Sequence, residues 1–253
     1  MLIDTHCHLD TFNDIDSILD QAQACSVENV VAVSQDPESI RMVLDIRRKR
    51  ADSVWIGLGL HPVWIVQNEN GLALALDLLK NHSADADVIG EIGLDFKCAV
   101  EIQQQTVQRE VLEIQMDIAD RVRKPVNLHS RRSQRQTLEL AIEFKRRTGL
   151  NVQMHWFTES KKLIRICNDE GIYVSVGPLV INDERVQQVA LEIDPSLLLL
   201  ETDAPITIDG IANHPGRVRQ VADSMARLNG SELLDVAEQT TENFFRFMSI
   251  ERP

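Results

Sequence analysis

The sequence predicts an α/β fold built from eight parallel strands, and three observations lead to that prediction. Short segments rich in Val, Ile and Leu recur eight times, and a longer amphipathic stretch follows each of them. Near-continuous apolar strands that alternate with helices are typical of a parallel sheet whose two faces are both covered. No glycine-rich phosphate loop follows any strand, and no linker divides the chain. Eight such units in 253 residues favour a closed (β/α)8 TIM barrel, one domain spanning residues 1–253, over an open doubly wound sheet.

The strand candidates are short and almost wholly apolar, as expected for strands buried on both faces. In chain order they cover residues 2–4, 29–33, 54–60, 87–92, 125–128, 151–154, 172–176 and 197–201. The helix candidates carry apolar residues at helical spacing and span residues 15–26, 37–50, 72–81, 101–123, 134–147, 159–170, 183–192, 216–228 and 231–248. Residues 204–215, which include Asp209-Gly210 and Pro215, are the longest irregular stretch, and we expect them to lie over the active face. Ser231 is expected to cap the last helix.

Composition limits the class of protein before any motif is considered. Hydrophobic residues make up 43% of the chain and charged residues 26%, which is ordinary for a soluble protein. The longest aliphatic run, residues 197–200, is too short to span a bilayer, so we expect no membrane partner. No signal peptide is visible, and four cysteines without CxxC spacing indicate reduced thiols, so we expect a cytoplasmic protein. A net charge of −13 argues against broad adhesion to duplex nucleic acid, although metal ions and a few arginines can still hold a polyanion locally.

Histidines and carboxylates gather where the predicted strands end. The set comprises His6, His8, His61, Glu91, His129, His155 and Asp203, which fall at the ends of strands one, three, four, five, six and eight. Because all strand ends of a barrel converge on one face, where such folds keep their chemistry, we expect these side chains to lie together. Core packing alone does not explain five of the seven histidines at these points. The other two, His82 and His214, lie in loop-like contexts and are interpreted as surface residues.

The predicted cluster offers nitrogen and carboxylate ligands and no thiolate. Such donors suit Zn²⁺, Mn²⁺ or Mg²⁺ rather than an iron–sulfur cluster or a structural zinc knuckle. There are enough ligands for two divalent ions if one carboxylate bridges them, and Glu91, across the mouth from both histidine groups, is the natural bridge. A pair of ions stabilises the attacking and leaving oxygens of phosphoryl transfer and lowers the pKa of a bound water.

Five segments carry a resemblance to a known family. They are residues 4–10 (Asp-Thr-His-Cys-His-Leu-Asp), 59–62 (Gly-Leu-His-Pro), 90–95 (Gly-Glu-Ile-Gly-Leu-Asp), 129–131 (His-Ser-Arg) and 201–205 (Glu-Thr-Asp-Ala-Pro). In this order, and from one end of the chain to the other, they resemble the TatD family of metal-dependent deoxyribonucleases. The resemblance implies a TIM-barrel hydrolase of the amidohydrolase-like superfamily, with two divalent ions and an exonuclease activity that favours the 3′ ends of single-stranded DNA.

The resemblance also assigns roles to the clustered residues. It implies that one ion is held by His6, His8, Glu91 and Asp203, and the other by Glu91, His129 and His155. It places His61 on the scissile phosphate. Three segments depart from the family pattern, which are Lys97-Cys98 after Phe96, Val63-Trp64 after His61-Pro62, and residues 206–210 (Ile-Thr-Ile-Asp-Gly). The predicted metal ligands are therefore intact, whereas the loops that face the substrate are altered.

The leading hypothesis is hydrolysis of a phosphodiester at a DNA end by a metal-activated water. Asp203 orients or deprotonates that water, and Glu91 bridges the ions. Arg131, which follows His129, is the best candidate to clamp a neighbouring phosphate, whereas Arg135 fits better as a solvated residue at a helix start. Two alternatives stay open, a metal-dependent amidohydrolase or esterase acting on a small molecule, and a TatD-like subunit of a larger assembly such as an anti-phage defence complex. We expect a monomer, and the sequence identifies no protein partner.

Overall fold

The computed structural model describes residues 1–208 and 210–252, so Asp209 of the predicted loop and Pro253 of the predicted domain lie outside the described residues. Eight strands form one sheet, in which each strand pairs in parallel with the next along the chain. They are β1 (Leu2–Cys7), β2 (Val27–Val33), β3 (Val54–Leu58), β4 (Val88–Asp95), β5 (Val126–Arg131), β6 (Val152–Met154), β7 (Tyr173–Val176) and β8 (Leu198–Leu200). The predicted (β/α)8 barrel is confirmed.

The sheet nearly closes where β8 meets β1. The backbone N–H and the hydroxyl of Thr202 both donate hydrogen bonds to the buried carboxylate of Asp4. One residue further on, the backbone N–H of Asp203 donates to the carbonyl oxygen of His6 at 2.9 Å. The segment after β8 is thus held against β1 by the Asp4 side chain and, nearer the mouth, by the backbone hydrogen bond from Asp203 to His6. The ends of both strands therefore place predicted site residues on the same rim of the barrel.

Ten α-helices within the described residues surround this sheet. They are α1 (Ile15–Ala24), α2 (Pro37–Lys49), α3 (Pro62–Gln67), α4 (Leu72–His82), α5 (Ile102–Val122), α6 (Gln134–Thr148), α7 (Lys161–Glu170), α8 (Glu184–Ala190), α9 (Val218–Asn229) and α10 (Leu233–Met248). Local chemistry fixes their ends. Asp36, for example, accepts hydrogen bonds from the first turn of α2 while the Ser39 hydroxyl accepts the Asp36 N–H. No helix of the described residues is long and apolar enough to cross a membrane.

Three strands run further toward the mouth than the sequence predicts. β1 extends to Cys7, β4 to Asp95 and β5 to Arg131, so His6 and His129 lie inside strands rather than after them. The pairing of β1 with β2 shifts register between Asp4 and Cys7. Such an irregularity breaks the strict alternation of side chains, which a pattern of apolar residues does not reveal.

One short helix was not predicted, and two other predictions about local structure need correction. The unpredicted helix, α3, begins directly after His61, with Pro62 in the first helical position that proline favours. The last helix is capped by Glu232, whose N–H donates to Asp235 Oδ2 at 3.3 Å, and not by Ser231. The irregular stretch 204–215 contains a small antiparallel hairpin formed by β9 (Thr207–Ile208) and β10 (Ile211–Ala212).

The C-terminal helix α10 closes the end of the barrel at which the strands begin. Phe244, Phe245 and Phe247 form an apolar cluster there with buried residues of β1, β2, β4, β7 and β8. The side chain of Asn243 donates to the carbonyl oxygen of Leu198 at 2.8 Å, and the Thr241 hydroxyl donates to the carbonyl oxygen of Met1 at 3.0 Å. This helix therefore seals the bottom of the barrel with aromatic side chains and binds the backbone at the starts of the first and last strands.

A layer of buried polar side chains lies between this apolar end and the mouth. Gln153 in β6 donates to the Thr5 hydroxyl of β1 at 3.0 Å, which places both side chains in the barrel interior. Gln153 also donates to the Ser175 hydroxyl of β7 at 2.9 Å. Ser175 in turn donates to Glu201 Oε2 at 2.6 Å. The interior thus changes from apolar, through hydrogen-bonded, to ionisable along one axis.

Candidate metal centre

The mouth of the barrel brings the predicted histidines and carboxylates into one cluster. β1, β4, β5, β6 and β8 or the residues directly after them supply His6, His8, Glu91, His129, His155 and Asp203. His61 joins them as the residue that caps α3. A cavity of about 210 Å³ opens over the cluster. Its walls include His8, Gln35, His61, Glu91, His129, Asp203, Pro205 and Ile206.

The carboxylate of Glu91 stands between two groups of ligand atoms. Its Oε2 lies 3.6 Å from His6 Nε2 and 3.5 Å from His8 Nε2. Asp203 Oδ1 completes this group, at 3.6 Å from His6 Nε2 and 3.2 Å from His8 Nε2. Two imidazole nitrogens and two carboxylate oxygens therefore face one position beside Glu91 Oε2.

The other oxygen of Glu91 faces a second group. Oε1 lies 2.7 Å from His129 Nδ1, 3.1 Å from His155 Nε2 and 3.4 Å from His61 Nε2. Because the two oxygens of one buried carboxylate face different sets of imidazoles, Glu91 has the geometry of a ligand that bridges two cations.

Two buried atoms between these groups test whether a cation fits. His6 Nε2 and Glu91 Oε2 have no hydrogen-bond partner among the residues that the structure describes. Buried polar atoms are almost always satisfied, so two orphan acceptors that face each other call for a positive ligand. Three groups of residues could each hold a cation, because the ligand atoms within each group lie within 4.8 Å of one another. They are His6–Glu91–His155, His6–His8–Asp203 and His61–Glu91–His129. Nitrogen and oxygen donors of this kind fit Zn²⁺, Mn²⁺ or Mg²⁺.

Hydrogen bonds behind the cluster orient the imidazoles. The Nδ1 of His6 lies 3.0 Å from Asn127 Oδ1, and the Nδ1 of His8 lies 3.3 Å from the carbonyl oxygen of Val33. Both partners can accept, so in the metal-bound state each Nδ1 donates its proton to the partner behind it and each Nε2 presents a lone pair to the cation. Partners of this type fix the tautomer of metal-ligating histidines and raise their basicity.

Two carboxylates that sequence reasoning did not assign complete this outer set. Glu201 Oε1 lies 3.5 Å from His155 Nδ1 and accepts the N–H of Trp156 at 2.7 Å. Asp95 Oδ2 lies 3.3 Å from His129 Nε2. Both were visible as acidic residues at the ends of strands eight and four, but their position one layer behind the ligands is not readable from spacing alone.

Burial and charge act against each other at the mouth. Burial alone would raise the pKa of Glu91, but the charges of His61, His6 and His155 hold it well below its usual range. Burial opposes the charging of His8, yet the hydrogen bond to Asp203 and the charge of Glu91 raise its pKa to about 9. In the metal-free protein, the proton on His8 thus balances the neighbouring carboxylates, and a cation that binds there must displace it.

The residues predicted to contact the substrate lie around this cluster. His61 is close enough to Glu91 and His129 to serve as a metal ligand, so the geometry allows both roles for it. Arg131 is exposed at the end of β5, and no ion pair with a described residue occupies its guanidinium. Arg135 pairs with Glu139 at 2.9 Å on an exposed helix face, in agreement with its interpretation as a solvated residue.

The backbone at Asp203 is held in an unusual conformation. Its φ of 53° lies in the left-handed region, which residues other than glycine seldom adopt. The hydrogen bond from its N–H to His6 and one from Asn213 Nδ2 to the Thr202 carbonyl oxygen, at 3.0 Å, hold the segment in place. Arg217 donates to Asn213 Oδ1 and supports this contact from behind. Strain of this kind persists where the surroundings impose it, often at functional sites.

Comparisons with known proteins agree with the fold and identify the family. The family model of the TatD related DNases matches residues 3–249. The deoxyribonuclease TATDN3 of Homo sapiens is 29% identical over 256 residues, which cover 96% of this chain and 92% of that protein. YcfH of Escherichia coli (strain K12), a metal-dependent hydrolase, is 32% identical over 263 residues, covering 99% of this chain and 96% of that protein. The crystal structure of YjjV, a TatD homologue from E. coli K12, has the same fold, with a TM-score of 0.87 at 23% identity over 99% of this chain and 98% of that one.

Proposed function

We propose that this chain, which belongs to the TatD related DNase family, removes nucleotides from the 3′ ends of single-stranded DNA at a centre of two divalent ions. The proposal starts from its class, which is that of a metal-dependent hydrolase of ester bonds. The name of the human relative supports DNA as the substrate. The polarity and the preference for single strands come from the family resemblance of the sequence motifs.

The observation that carries the proposal is the position of Glu91 between two ligand groups. We assign one ion to His6, His8, Asp203 and Glu91 Oε2, and the other to Glu91 Oε1, His129 and His155. Such ions, when bound, neutralise charge on a phosphoryl group and lower the pKa of water. A phosphodiester makes use of both effects because its hydrolysis has an attacking and a leaving oxygen to stabilise.

The remaining steps fall to side chains at the rim. Asp203, whose side chain is 18% exposed, is placed to orient the attacking water and to take its proton. His61 caps α3 through Nδ1, which leaves its Nε2 directed at the cluster and able to contact a phosphate oxygen. Arg131 contacts the next phosphate as an exposed, unpaired cation among the described residues.

The experiment that tests this function uses oligonucleotides labelled at the 5′ or the 3′ end. With Mg²⁺ or Mn²⁺ present, a 3′-labelled strand should lose its label as mononucleotide at once, while a 5′-labelled strand should shorten progressively. EDTA should abolish both reactions. Internal cuts or early release of the 5′ label would contradict the proposed polarity. A protein that leaves every strand intact but hydrolyses a small ester in the presence of metal would favour the amidohydrolase or esterase alternative.

Assignment of His61 to substrate rather than to metal needs its own test. If His61 contacts the phosphate, His61→Ala should keep its metal content and lose most of its turnover. If elemental analysis after dialysis shows that this variant has lost an ion, His61 belongs to the ligand group with Glu91 and His129.

A further inference from the structure

Gln35 lies at the mouth, although no motif in the sequence drew attention to it. It comes two residues after β2, and its side chain forms part of the cavity wall. Its backbone is fixed on both sides. The N–H of Gln35 donates to Ser39 Oγ at 2.7 Å, and its carbonyl oxygen accepts the N–H of His61 at 2.8 Å. The half-buried carboxamide is therefore held beside the ring of His8.

The side-chain amide of Gln35 lies against the ring of His8, but this ring offers no free acceptor once His8 binds a cation. Its Nε2 lies 3.2 Å from Nδ1 and 3.1 Å from Nε2 of His8. The Nδ1 of His8 carries a proton directed at the carbonyl oxygen of Val33. The Nε2 of His8 directs its lone pair toward Glu91 and Asp203, where the ligand group converges. A ligating His8 consequently offers no free lone pair to Gln35.

The two N–H groups of this amide are then free to donate to a ligand in the cavity. Among the described residues, no acceptor other than the ring nitrogens of His8 lies within hydrogen-bond distance of Gln35 Nε2. A cavity above a cationic centre favours an anion with several acceptor oxygens. A neutral amide suits this place, because a lysine or arginine here would be repelled by the ions, whereas an amide donates without adding positive charge.

We propose that Gln35 is a substrate-binding residue, whose side-chain amide donates a hydrogen bond to a non-bridging oxygen of the phosphate at the metal centre. This inference rests on the proposed function, because it takes the substrate to be a phosphodiester. A hydrogen bond from a neutral donor to a charged acceptor is among the stronger hydrogen bonds in proteins. Gln35 then fixes the orientation of the phosphate from the side of β2, opposite Arg131 at the end of β5.

Binding of inorganic phosphate to the Mg²⁺-loaded protein tests the contact without requiring turnover. Gln35→Leu removes the donors at similar volume and should weaken phosphate binding by about tenfold or more, with unchanged metal content. Gln35→Glu places a carboxylate against the anion and should weaken it further. The matched controls are Gln21→Leu and Gln21→Glu on the exposed face of α1, which make the same changes away from the mouth and should bind phosphate as the wild type does.

Each outcome either supports or overturns the inference. Equal phosphate affinity in Gln35→Leu and wild type would overturn it, as would a wild-type protein that does not bind phosphate. Loss of metal from Gln35→Leu would also overturn it and make Gln35 a positioning residue for His8. If phosphate binding weakens as expected but no labelled oligonucleotide is cut by the wild type, the phosphate contact stands and the proposed deoxyribonuclease function fails. In active protein, Gln35→Leu should raise KM more than it lowers kcat.

Discussion

The two ends of the barrel are built from the same strands and have opposite chemistry. At the lower end, Phe244 and Phe247 of α10 pack in an apolar cluster with residues of several strands. At the upper end, the same strands finish in imidazoles and carboxylates, of which Glu91 and His6 are almost fully buried. The fold therefore places its stabilising apolar cluster and its ionisable groups at opposite ends of one axis.

Burial of side chains contributes to the free energy of folding with opposite sign at the two ends. Burial of aromatic side chains stabilises the folded state in proportion to the apolar area removed from water. Burial of several ionisable groups does the reverse unless a partner compensates each charge. The hydrogen-bonded layer of Thr5, Gln153 and Ser175 lies between them and separates the ionisable groups from the apolar plug. Variants at the two ends should therefore affect different measurements.

The largest effect is expected for Glu91→Gln at the upper end. A neutral amide bridges two cations poorly, so the variant should lose metal from both groups, and kcat should fall by roughly 10²- to 10⁴-fold. Elemental analysis after dialysis and turnover of a labelled oligonucleotide measure the two changes. The exposed Glu110→Gln on α5 is the matched control. Unchanged metal content in Glu91→Gln would contradict the assignment of Glu91 as the ligand that bridges the two ions.

The second effect belongs to the lower end. Phe244→Ala deletes a fully buried ring that packs against Trp55 at 5.8 Å, and it should destabilise the protein by about 3–5 kcal/mol. Denaturant unfolding measures this loss, and Leu234→Ala, on the exposed side of the same helix, should cost little. Activity per folded molecule should not change. A fall in kcat of the folded variant would show that the two ends are coupled.

Withdrawal of metal is expected to act on the upper end alone. A ligand at about 100 times its Kd stabilises the folded state by about 2.7 kcal/mol, so EDTA should lower Tm by about 5–10 °C in a domain of this size. The same shift should appear in Phe244→Ala, because its cavity lies at the other end. A thermal scan of both proteins with and without EDTA checks this additivity. A clearly smaller shift in the variant would mean that the plug helps to hold the metal ligands.

Glu201→Gln tests whether the residue between the polar layer and His155 affects metal binding. The carboxylate of Glu201 orients His155 without joining the ligand group, and loss of such a partner costs about 10- to 100-fold in metal affinity. Titration of the metal-free variant with Mn²⁺ measures the change. Thr202 and Ser175 stay in place, so the fold should be retained. An unaltered affinity would show that His155 is oriented by packing rather than by Glu201.

The smallest effect concerns the rim. With a net charge of −13, the chain should engage only the phosphates near the mouth, about two to four of them, and log K should fall by roughly 0.7 per contact against log salt. Arg131→Ala should reduce that slope by about one contact, whereas Arg135→Ala should not, because Arg135 pairs with Glu139. Binding of linear and circular single strands to the metal-loaded His61→Ala protein, which should keep its metal and lose most of its turnover, measures the slope. Equal affinity for the circle, or a steep slope, would contradict gripping of free ends.

The sequence predicted the eight strands and the convergence of the histidines and carboxylates because both depend on short-range patterns. Apolar runs define buried strands, and strand ends of a parallel barrel must meet on one face. The irregular register of β1 was not predictable. Thr5 and His6 are neighbours in sequence, yet Thr5 bonds Gln153 inside the barrel and His6 stacks on His155 at 3.9 Å. The part played by Gln35 was hidden too, because it depends on contacts between separate strands.

The seam between β8 and β1 has a consequence for how the protein is made. His6 and His8 leave the ribosome before Asp203, which hydrogen-bonds to the backbone of His6 and is translated almost two hundred residues later. Met1 is secured still later, when Thr241 of α10 reaches its carbonyl oxygen. Ribosomes add about 5–20 residues per second, so the first strand waits on the order of ten seconds or more for its partner. A nascent or truncated chain that ends before Asp203 therefore lacks the carboxylate that joins His6 and His8 at the mouth, and we expect hydrolytic activity only after that residue has been translated.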